Sequence, residues 1–183
     1  MHIQEKCAEA YEKHKHLKLA ANDVGIPWQT VYVHLKRAGI AVTGDKLRYG
    51  SDTDKLAARA ELLFSTLVPD AINCNAKKFQ SKVDFVVNGH SVDVKSSRLQ
   101  EKNGKPTRLA FSLKKQELLA DFFVCFGFVD DKSSHCLLIP SEIAKNYQTM
   151  SVSITNRSSK WWDYEIDKND LADFFNSLGS KSF

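Results

Sequence analysis

Residues 83–95 read VDFVVNGHSVDVK, and this segment predicts a β-hairpin. Two valine-rich runs flank a central Asn-Gly dipeptide, the pair most typical of a tight two-residue turn between antiparallel strands. If that turn joins the strands directly, Asp84 lies opposite Asp93. Because side chains alternate along a strand, both carboxylates and Lys95 then point to the same face of the hairpin.

The same register divides the hairpin into an apolar face and a charged face. It predicts three further pairs: Phe85–Val92, Val83–Val94 and Lys82–Lys95. The first two of these pairs lie on a face that we expect a hydrophobic core to cover. A β-bulge in either strand would shift the register and separate the two acids.

The two opposed acids need a chemical explanation. Directly opposed residues have Cβ atoms about 4.5–5.5 Å apart, and like charges at that distance destabilise a sheet. A divalent cation removes this repulsion, because hard oxygen ligands converge on its charge. Asp84 and Asp93 therefore predict a Mg²⁺ site.

The periodicity around the hairpin predicts an α/β domain. Apolar residues at helical spacing predict a helix over residues 53–67, ended by Pro69. Downstream we predict a basic loop at 99–108, a helix at 113–120, a hairpin of strands 122–129 and 135–139, a helix at 141–147, strands at 152–154 and 161–166, and a helix at 169–178. We expect the fold class to be α/β, with a mixed sheet flanked by helices.

The N-terminal segment resembles a helix-turn-helix. Its predicted helices are residues 3–15, 17–22 and 27–39, followed by a polar linker at 43–51. Ala21 provides the small side chain needed where two helices cross, and Gly25 can adopt the positive φ that the turn requires. We predict a small all-α helix-turn-helix DNA-binding domain over residues 1–45 and a second domain over residues 50–183.

The last helix of this unit is expected to contact DNA. Its exposed residues are predicted to be Gln29, Thr30, Lys36 and Arg37. Gln and Arg side chains can read base edges, while Lys and Thr hold phosphates. Helix-turn-helix units also serve in protein interaction or as structural bundles, but the basic character of this helix favours DNA.

The hairpin, together with an upstream helix that carries Glu61, resembles the PD-(D/E)XK nuclease superfamily. The resemblance depends on the whole order: a helix with Glu, a strand with Val83-Asp84, a turn, and a strand with Asp93-Val94-Lys95. Asp-x-Lys alone carries little weight, since Asp130-Asp131-Lys132 also matches it within a predicted turn. Val83 stands where the superfamily's motif has proline.

Two downstream segments extend the resemblance. Residues 121–124 (DFFV) and 138–141 (LIPS) are similar to members of this superfamily that are linked to mobile introns and phages. The resemblance covers roughly residues 53–140 of the chain. It implies a PD-(D/E)XK-like nuclease fold for the second domain.

The resemblance also implies a site and an activity. Asp84, Asp93 and Glu61 would bind Mg²⁺, which Mn²⁺ can replace, and Lys95 would orient or activate the attacking water. These four residues form the implied catalytic set, and the reaction is hydrolysis of phosphodiester bonds in DNA. Arg98, just beyond the motif, is expected to hold a backbone phosphate.

Composition and charge agree with a soluble protein that meets a polyanion. Residues 1–115 hold 20 Lys and Arg against 12 Asp and Glu, whereas residues 116–183 hold 6 against 10. A basic region beside an acidic one suits a protein that presents one face to phosphates. The four scattered cysteines predict neither a zinc site nor a disulfide framework, and no apolar run is long enough for a membrane span.

We therefore expect a site-specific, Mg²⁺-dependent endonuclease of homing or restriction type that acts on double-stranded DNA. Cutting both strands needs two active sites, so we expect a homodimer or a higher symmetric oligomer. The expected location is the cytoplasm of a bacterial or phage-infected cell. Three alternatives remain open: a Holliday-junction-resolvase-like nuclease, a non-catalytic DNA-binding regulator on a nuclease fold, and an unrelated enzyme with a coincidental hairpin.

Overall fold

Two compact units make up the chain. The structure is a computed structural model, and it describes residues 2–42, 50–76, 82–113 and 120–181. The first unit comprises Met1–Lys55 with Cys74–Ser81, and the second comprises Leu56–Asn73 with Lys82–Phe183. The hairpin at residues 83–95 therefore belongs to the second unit.

Three described helices pack together at the start of the chain: Ile3–His14 (α1), Leu17–Val24 (α2) and Trp28–Arg37 (α3). Their shared core is built from small and medium-sized apolar side chains: Cys7, Ala10, Tyr11, Ala20, Ala21, Val31 and Leu35. Pro27 immediately precedes α3, and its fixed φ of −58° suits the residue before a helix.

The turn between α2 and α3 has the geometry predicted from its sequence. Gly25 has a φ of 78°, in the left-handed region that L side chains rarely adopt. Its N–H donates to the carbonyl of Ala21 at 2.8 Å, and Ala21 itself is buried. Both expectations for this turn, the small residue and the positive φ, are confirmed.

A fourth helix, Asp52–Leu67 (α4), leads into the sheet domain. Ser51 and Asp54 cap its start reciprocally, because the Ser51 hydroxyl accepts from the Asp54 N–H and the Asp54 carboxylate accepts from the Ser51 N–H, both at 3.2 Å. Leu56, Ala60 and Phe64 recur at helical spacing and are buried. This apolar stripe lies on the sheet, as the periodicity predicts.

The main sheet is five-stranded and mixed. Its strands are Ile72–Asn73 (β1), Phe85–Val87 (β2), His90–Arg98 (β3), Phe122–Val129 (β6) and Lys132–Pro140 (β7), in the order β1-β2-β3-β6-β7. Strand β3 runs parallel to β6, and the other three pairs are antiparallel. The hairpin thus places β3 at the centre of the sheet.

Both edges of this sheet are short or covered. Strand β1 has two residues, which limits the open edge on its side. Along β7, Leu137 forms an antiparallel bridge with Glu165, and the Ile166 N–H donates to the Cys136 carbonyl at 3.0 Å. The chain near residue 165 therefore occupies part of the hydrogen-bonding edge of β7.

Helices cover one face of the sheet. Helix α4 and the last helix, Leu171–Leu178 (α6), pack on side chains from β2, β3, β6 and β7. The rings of Phe64 and Phe85 lie 4.9 Å apart, and Phe175 meets Phe64 edge-on at 6.2 Å. This aromatic cluster holds both helices against the hairpin.

A second sheet covers the other face. It is three-stranded and contains Gln100–Lys102 (β4), Lys105–Ser112 (β5) and Thr149–Ser153 (β8) in the order β4-β5-β8. Its apolar side chains, with Trp161 and Trp162, pack on β6 and β7. The predicted basic loop at 99–108 is therefore wrong: Asn103 and Gly104 both have positive φ and join two strands.

Several smaller predictions are also corrected. The predicted strand at 161–166 is a 3₁₀ helix, Lys160–Tyr164, because both tryptophans turn inward against the core. The helix predicted at 141–147 is shorter, Ser141–Ala144 (α5), and further 3₁₀ turns occur at Cys74–Ala76 and Lys168–Asp170. The helix predicted at 113–120 lies largely outside the described residues.

The fold class is α/β with a mixed sheet flanked by helices, preceded by N-terminal helices, as the sequence predicts. The helices lie on one face of the main sheet, and the smaller sheet lies on the other. Within the described residues, no helix combines the length and the apolar character needed to cross a bilayer.

Candidate active site

The hairpin keeps the predicted register next to its turn and leaves it at the acids. Phe85 pairs with Val92 and Val87 pairs with His90, as expected. Strand β2 begins at Phe85, however, so Asp84 is not paired with Asp93. The prediction of a directly opposed acid pair is wrong in its backbone geometry, and so are the predicted pairs Val83–Val94 and Lys82–Lys95.

The register is lost here because the Asp84 side chain takes the place of a backbone hydrogen-bond acceptor. The Asp84 N–H donates to the Val92 carbonyl at 3.1 Å, a bond that the predicted register, with Asp84 facing Asp93, does not contain. The next donor on β3, the Val94 N–H, bonds to the Asp84 carboxylate oxygen Oδ2 at 2.8 Å. The Asp84 carboxylate thus takes the N–H that the backbone of Val83 would accept in the predicted register. The ladder of backbone hydrogen bonds therefore ends at this point.

The two carboxyl groups nevertheless meet. The half-buried Asp84 side chain forms a hydrogen bond with that of Asp93. Burial, this hydrogen bond and the charge of Asp93 raise the pKa of Asp84 to about 8, against the opposing effect of the Val94 N–H. Near neutral pH, Asp84 therefore retains a proton, because two adjacent carboxylates do not both ionise without a compensating cation.

Lys95 supplies the positive charge of the site. Its Nζ lies 2.7 Å from Oδ2 of Asp93, and both side chains are about one-fifth exposed, at 19% and 21%. An ammonium group has three N–H donors, and this contact uses one of them. Among the described residues Asp93 is the partner of this ammonium group, and its other two donors can serve a group that enters from solvent.

Glu61 lies on α4 and approaches from the helix side. It is half-buried between Ala60 and Leu62, and its charge contributes to the raised pKa of Asp84. In the described part of the chain, no group of three or more His, Cys, Asp or Glu side chains is arranged to hold a metal ion. Glu61 is thus near the acid pair electrostatically without completing a three-ligand cluster.

The acid pair fits a hard divalent cation. Mg²⁺ is usually held by one or two carboxylates and completes its shell with water and substrate phosphate. Asp84 and Asp93 provide two such groups, and the proton retained by Asp84 is what a bound cation would displace. The residues present therefore fit Mg²⁺ without a third protein ligand.

Alternation along β3 places the site on the face of the sheet opposite the helices. Val92 and Val94 are buried among the helix-facing side chains, so Asp93 and Lys95 point to the opposite face. Further along this face, the buried Ser97 hydroxyl accepts from the Ala110 N–H at 2.9 Å. Strand β5 therefore covers β3 just beyond Lys95 and closes that end of the site.

Asp121 joins β3 to the start of β6 through bonds that the sequence pattern did not predict. Its Oδ2 accepts from the Ser91 N–H at 2.9 Å and lies 3.1 Å from the Ser91 hydroxyl, and its Oδ1 accepts from Lys181 Nζ at 2.8 Å. Burial alone would raise the pKa of Asp121, but the bonds from Lys181 and Ser91 outweigh it and lower that pKa. These bonds fix the start of β6 beside β3, two residues before Asp93.

Arg98 ends β3 in an exposed ion-pair cluster. Its guanidinium lies 3.4 Å from Asp131 Oδ1, and Arg59 of α4 donates to the Asp131 carbonyl at 2.9 Å. Asp131 sits in the β6–β7 turn with a φ of 60°. The predicted phosphate-binding residue Arg98 is thus exposed but engaged with a carboxylate.

The four remaining predicted site residues lie on α3. Gln29, Thr30, Lys36 and Arg37 are all exposed. Three apolar neighbours on the same helix, Trp28, Tyr32 and Val33, are exposed as well. The structure therefore groups the predicted DNA-contacting residues on one helix, and groups Asp84, Asp93, Lys95 and Glu61 in the sheet domain.

Comparisons with known proteins give a likeness in structure but none in sequence. No family model matches the chain, and no curated protein matches it. A solved structure of a bacterial homing endonuclease is similar in part, with 16% sequence identity and a TM-score of 0.47. The likeness covers 68% of this chain and 91% of that one.

Proposed function

We propose that this protein is a metal-dependent DNA endonuclease whose active site comprises Asp84, Asp93, Lys95 and Glu61. The observation that carries the proposal is the Asp84–Asp93 pair. Burial, together with the hydrogen bond and the charge of Asp93, raises the pKa of Asp84 to about 8, while a lysine contacts the second acid. Near neutral pH the pair avoids like-charge repulsion by retaining a proton, which a bound cation would replace, and perturbed acids of this kind cluster at functional sites.

Asp84 and Asp93 would hold Mg²⁺, or Mn²⁺ in its place. When bound, the ion would lower the pKa of the attacking water and stabilise negative charge on the phosphate. The Val94 N–H fixes Oδ2 of Asp84 and so orients this carboxyl group beside Asp93. Glu61 would add negative charge from α4 and is the proposed accessory acid.

Lys95 would act on the phosphate and the nucleophile. One of its N–H groups stays on Asp93, which holds the ammonium group in place. Its remaining donors can bind a phosphate oxygen or orient water, and preorganised charge of this kind is a large term in phosphoryl chemistry. This role needs the ammonium charge, so a neutral residue of similar length should not replace it.

Double-stranded DNA is the proposed partner. Helix α3 exposes Gln29, Thr30, Lys36 and Arg37, which can contact base edges and phosphates. We propose that residues 1–45 read DNA and residues 50–183 cut it, as in a site-specific enzyme of homing or restriction type. Cleavage of both strands would need two copies of the active site, which favours a symmetric homodimer.

Plasmid cleavage tests the function directly. The purified chain is incubated with supercoiled DNA in Mg²⁺ or in EDTA, beside the variants Asp93→Asn and Lys95→Gln. Glu142→Gln is a matched control, because Glu142 is an exposed acid on α5. We expect nicked and linear products in Mg²⁺ with the wild-type chain and the control variant, and none in EDTA.

Metal binding separates an inert protein from one with a rare target. Calorimetry with Mg²⁺ should show binding to the wild-type chain and loss of binding in Asp93→Asn. Cleavage that persists in both site variants, or an absence of both Mg²⁺ binding and cleavage, would overturn the nuclease proposal. The second of these results would favour the DNA-binding regulator instead.

A further inference from the structure

The exposed side of α3 combines apolar and polar side chains in one stripe. Trp28, Tyr32 and Val33 are 42%, 40% and 43% exposed, which is high for large apolar residues. With 3.6 residues per turn, positions 28, 29, 32, 33 and 36 fall on the same side of the helix. Val31 and Leu35 are fully buried and lie on the adjoining side of the helix, next to Trp28.

The charge of this stripe complements a polyanion. Helix α3 contains no acidic residue, and its last turn carries Lys36 and Arg37. The acid at the end of α2, Asp23, is paired with Lys13 at 3.0 Å and His14 at 2.9 Å. A cationic helix with an exposed apolar stripe fits the major groove of DNA, which admits an α-helix and displays both acceptors and methyl groups.

The position along the helix assigns base contacts and phosphate contacts. In helix-turn-helix proteins, the N-terminal residues of the second helix reach the base edges. In α3 the exposed residues of this part are Trp28, Gln29, Thr30, Tyr32 and Val33, whereas the cations lie in the last turn. The base-reading part of the stripe therefore contains one amide and three apolar groups, and no guanine-reading Arg or Lys.

Each of these side chains has a preferred base. A glutamine amide pairs in two places with adenine N6 and N7, and apolar side chains contact the 5-methyl group of thymine. Guanine is usually read by Arg or Lys. We propose that α3 selects A·T base pairs, with Gln29 on adenine and Trp28, Tyr32 and Val33 against thymine methyl groups.

This inference rests on the proposed DNA-binding function and names its substrate class. Selection from a random duplex library, with the full wild-type chain in EDTA, gives the bound sequences. We expect enrichment of a site whose positions are mainly A·T. Each thymine of the selected site is then replaced by uracil, which removes only the 5-methyl group.

Uracil substitution should weaken binding by about fourfold at each contacted thymine, the effect of losing one buried methyl-sized group. In Val33→Ala, uracil should no longer weaken binding at one of the contacted thymine positions. In Gln29→Ala, discrimination against a G·C pair should fall at one adenine position. Leu178→Ala is a matched control, since Leu178 is 41% exposed on a different helix, and its binding should equal that of the wild-type chain.

Other outcomes overturn the inference in distinguishable ways. A G·C-rich selected site, or affinity unchanged by uracil, would refute A·T selection while leaving the endonuclease proposal intact. Self-association that Trp28→Ala abolishes, without any effect on DNA affinity, would assign the stripe to a second copy of the chain. Absence of DNA binding together with absence of Mg²⁺-dependent cleavage would remove the proposed function itself. Circular dichroism of each variant checks that the helices remain folded.

Discussion

Val94 donates its backbone N–H to the carboxylate of Asp84 at 2.8 Å, and this bond ends the hairpin ladder at the candidate site. The two acids are consequently brought together by side chains instead of by strand pairing. One oxygen of Asp84 is committed to the backbone, so the rest of the pair is oriented before any ligand arrives. Such preorganisation is what a cation site with few protein ligands requires.

Stability of the metal-free protein should fall as the pH rises. The pKa of Asp84 is about 8 in the folded chain, against about 3.9 for an unfolded Asp. Between these values the folded state holds a proton that the unfolded state lacks, so the stabilisation is complete below about pH 4 and is lost by about pH 8. Urea unfolding in EDTA at pH 5, 6.5 and 8 measures this loss, which Asp84→Asn should largely remove. If the free energy of unfolding fell with pH equally steeply in the wild-type chain and in the variant, the raised pKa of Asp84 would be contradicted.

Mg²⁺ binding should release a proton at neutral pH. A cation binds the ionised pair, and at pH 7 Asp84 is still largely protonated because its pKa is about 8. Apparent Mg²⁺ affinity should therefore rise by up to tenfold per pH unit below pH 8 and level off above it. Calorimetry in two buffers of different ionisation enthalpy counts the released protons. A pH-independent affinity would show that Mg²⁺ does not bind at this pair.

Replacement of Lys95 should separate chemistry from metal binding. Lys95→Gln removes the ammonium group 2.7 Å from Asp93 but leaves both carboxyl groups in place. We expect DNA cleavage to fall by about 10²–10³-fold, the usual loss when a charge-stabilising donor is removed. Mg²⁺ affinity should be equal or higher, because a competing cation has gone. If Lys95→Gln lowered DNA cleavage and Mg²⁺ affinity together, Lys95 would only support the structure of the site.

Gly127 should not tolerate a side chain. A Cβ at this position would lie 2.4 Å from Cδ1 of Leu109, which is fully buried, and 3.3 Å from Cβ of His135. Gly127→Ala should therefore cost about 1–3 kcal/mol of unfolding free energy by overpacking. In a double-mutant cycle, Gly127→Ala should lower the unfolding free energy by less when Leu109 has also been replaced by Ala. Additive effects of the two substitutions would exclude this contact as the cause.

Asp121 should matter more for stability than its partner Lys181. Asp121→Ala leaves the Ser91 N–H without its acceptor, so we expect a loss of about 1–3 kcal/mol in thermal or urea unfolding. Lys181→Ala breaks an ion pair whose lysine is 45% exposed, so it should cost under about 1 kcal/mol. The low pKa of Asp121 means that its contribution is present above about pH 4 and is lost in acid. If Lys181→Ala lowered the unfolding free energy more than Asp121→Ala did, the prediction would be wrong.

Local patterns predicted much of the fold. The central Asn-Gly dipeptide fixed the hairpin register at Phe85–Val92, and the alternation of β3 placed Asp93 and Lys95 on one face. Helical spacing located α4 to within one residue of its start. These features depend on neighbours in sequence, so the sequence alone determines them.

Other features depend on distant partners and were missed. The second Asn-Gly dipeptide, at residues 103–104, carries the same hairpin signal as the first, but the basic residues around it suggested a loop. The bond from the Ser91 N–H to the Asp121 carboxylate exists only because β6 lies parallel to β3, a pairing between strands far apart in sequence. The ladder break at Asp84 likewise reflects burial and charge, which a strand pattern does not encode.

The sheet edges limit how two copies of the chain could associate. Open strand edges are templates for intermolecular pairing, and proteins suppress such pairing with very short or covered edges. Here one edge strand has two residues, and the segment around Glu165 bonds to the other edge. A continuous five-stranded sheet running through two copies is therefore disfavoured. If the DNA itself holds together a dimer that cuts both strands, the assembly of that dimer would depend on the target.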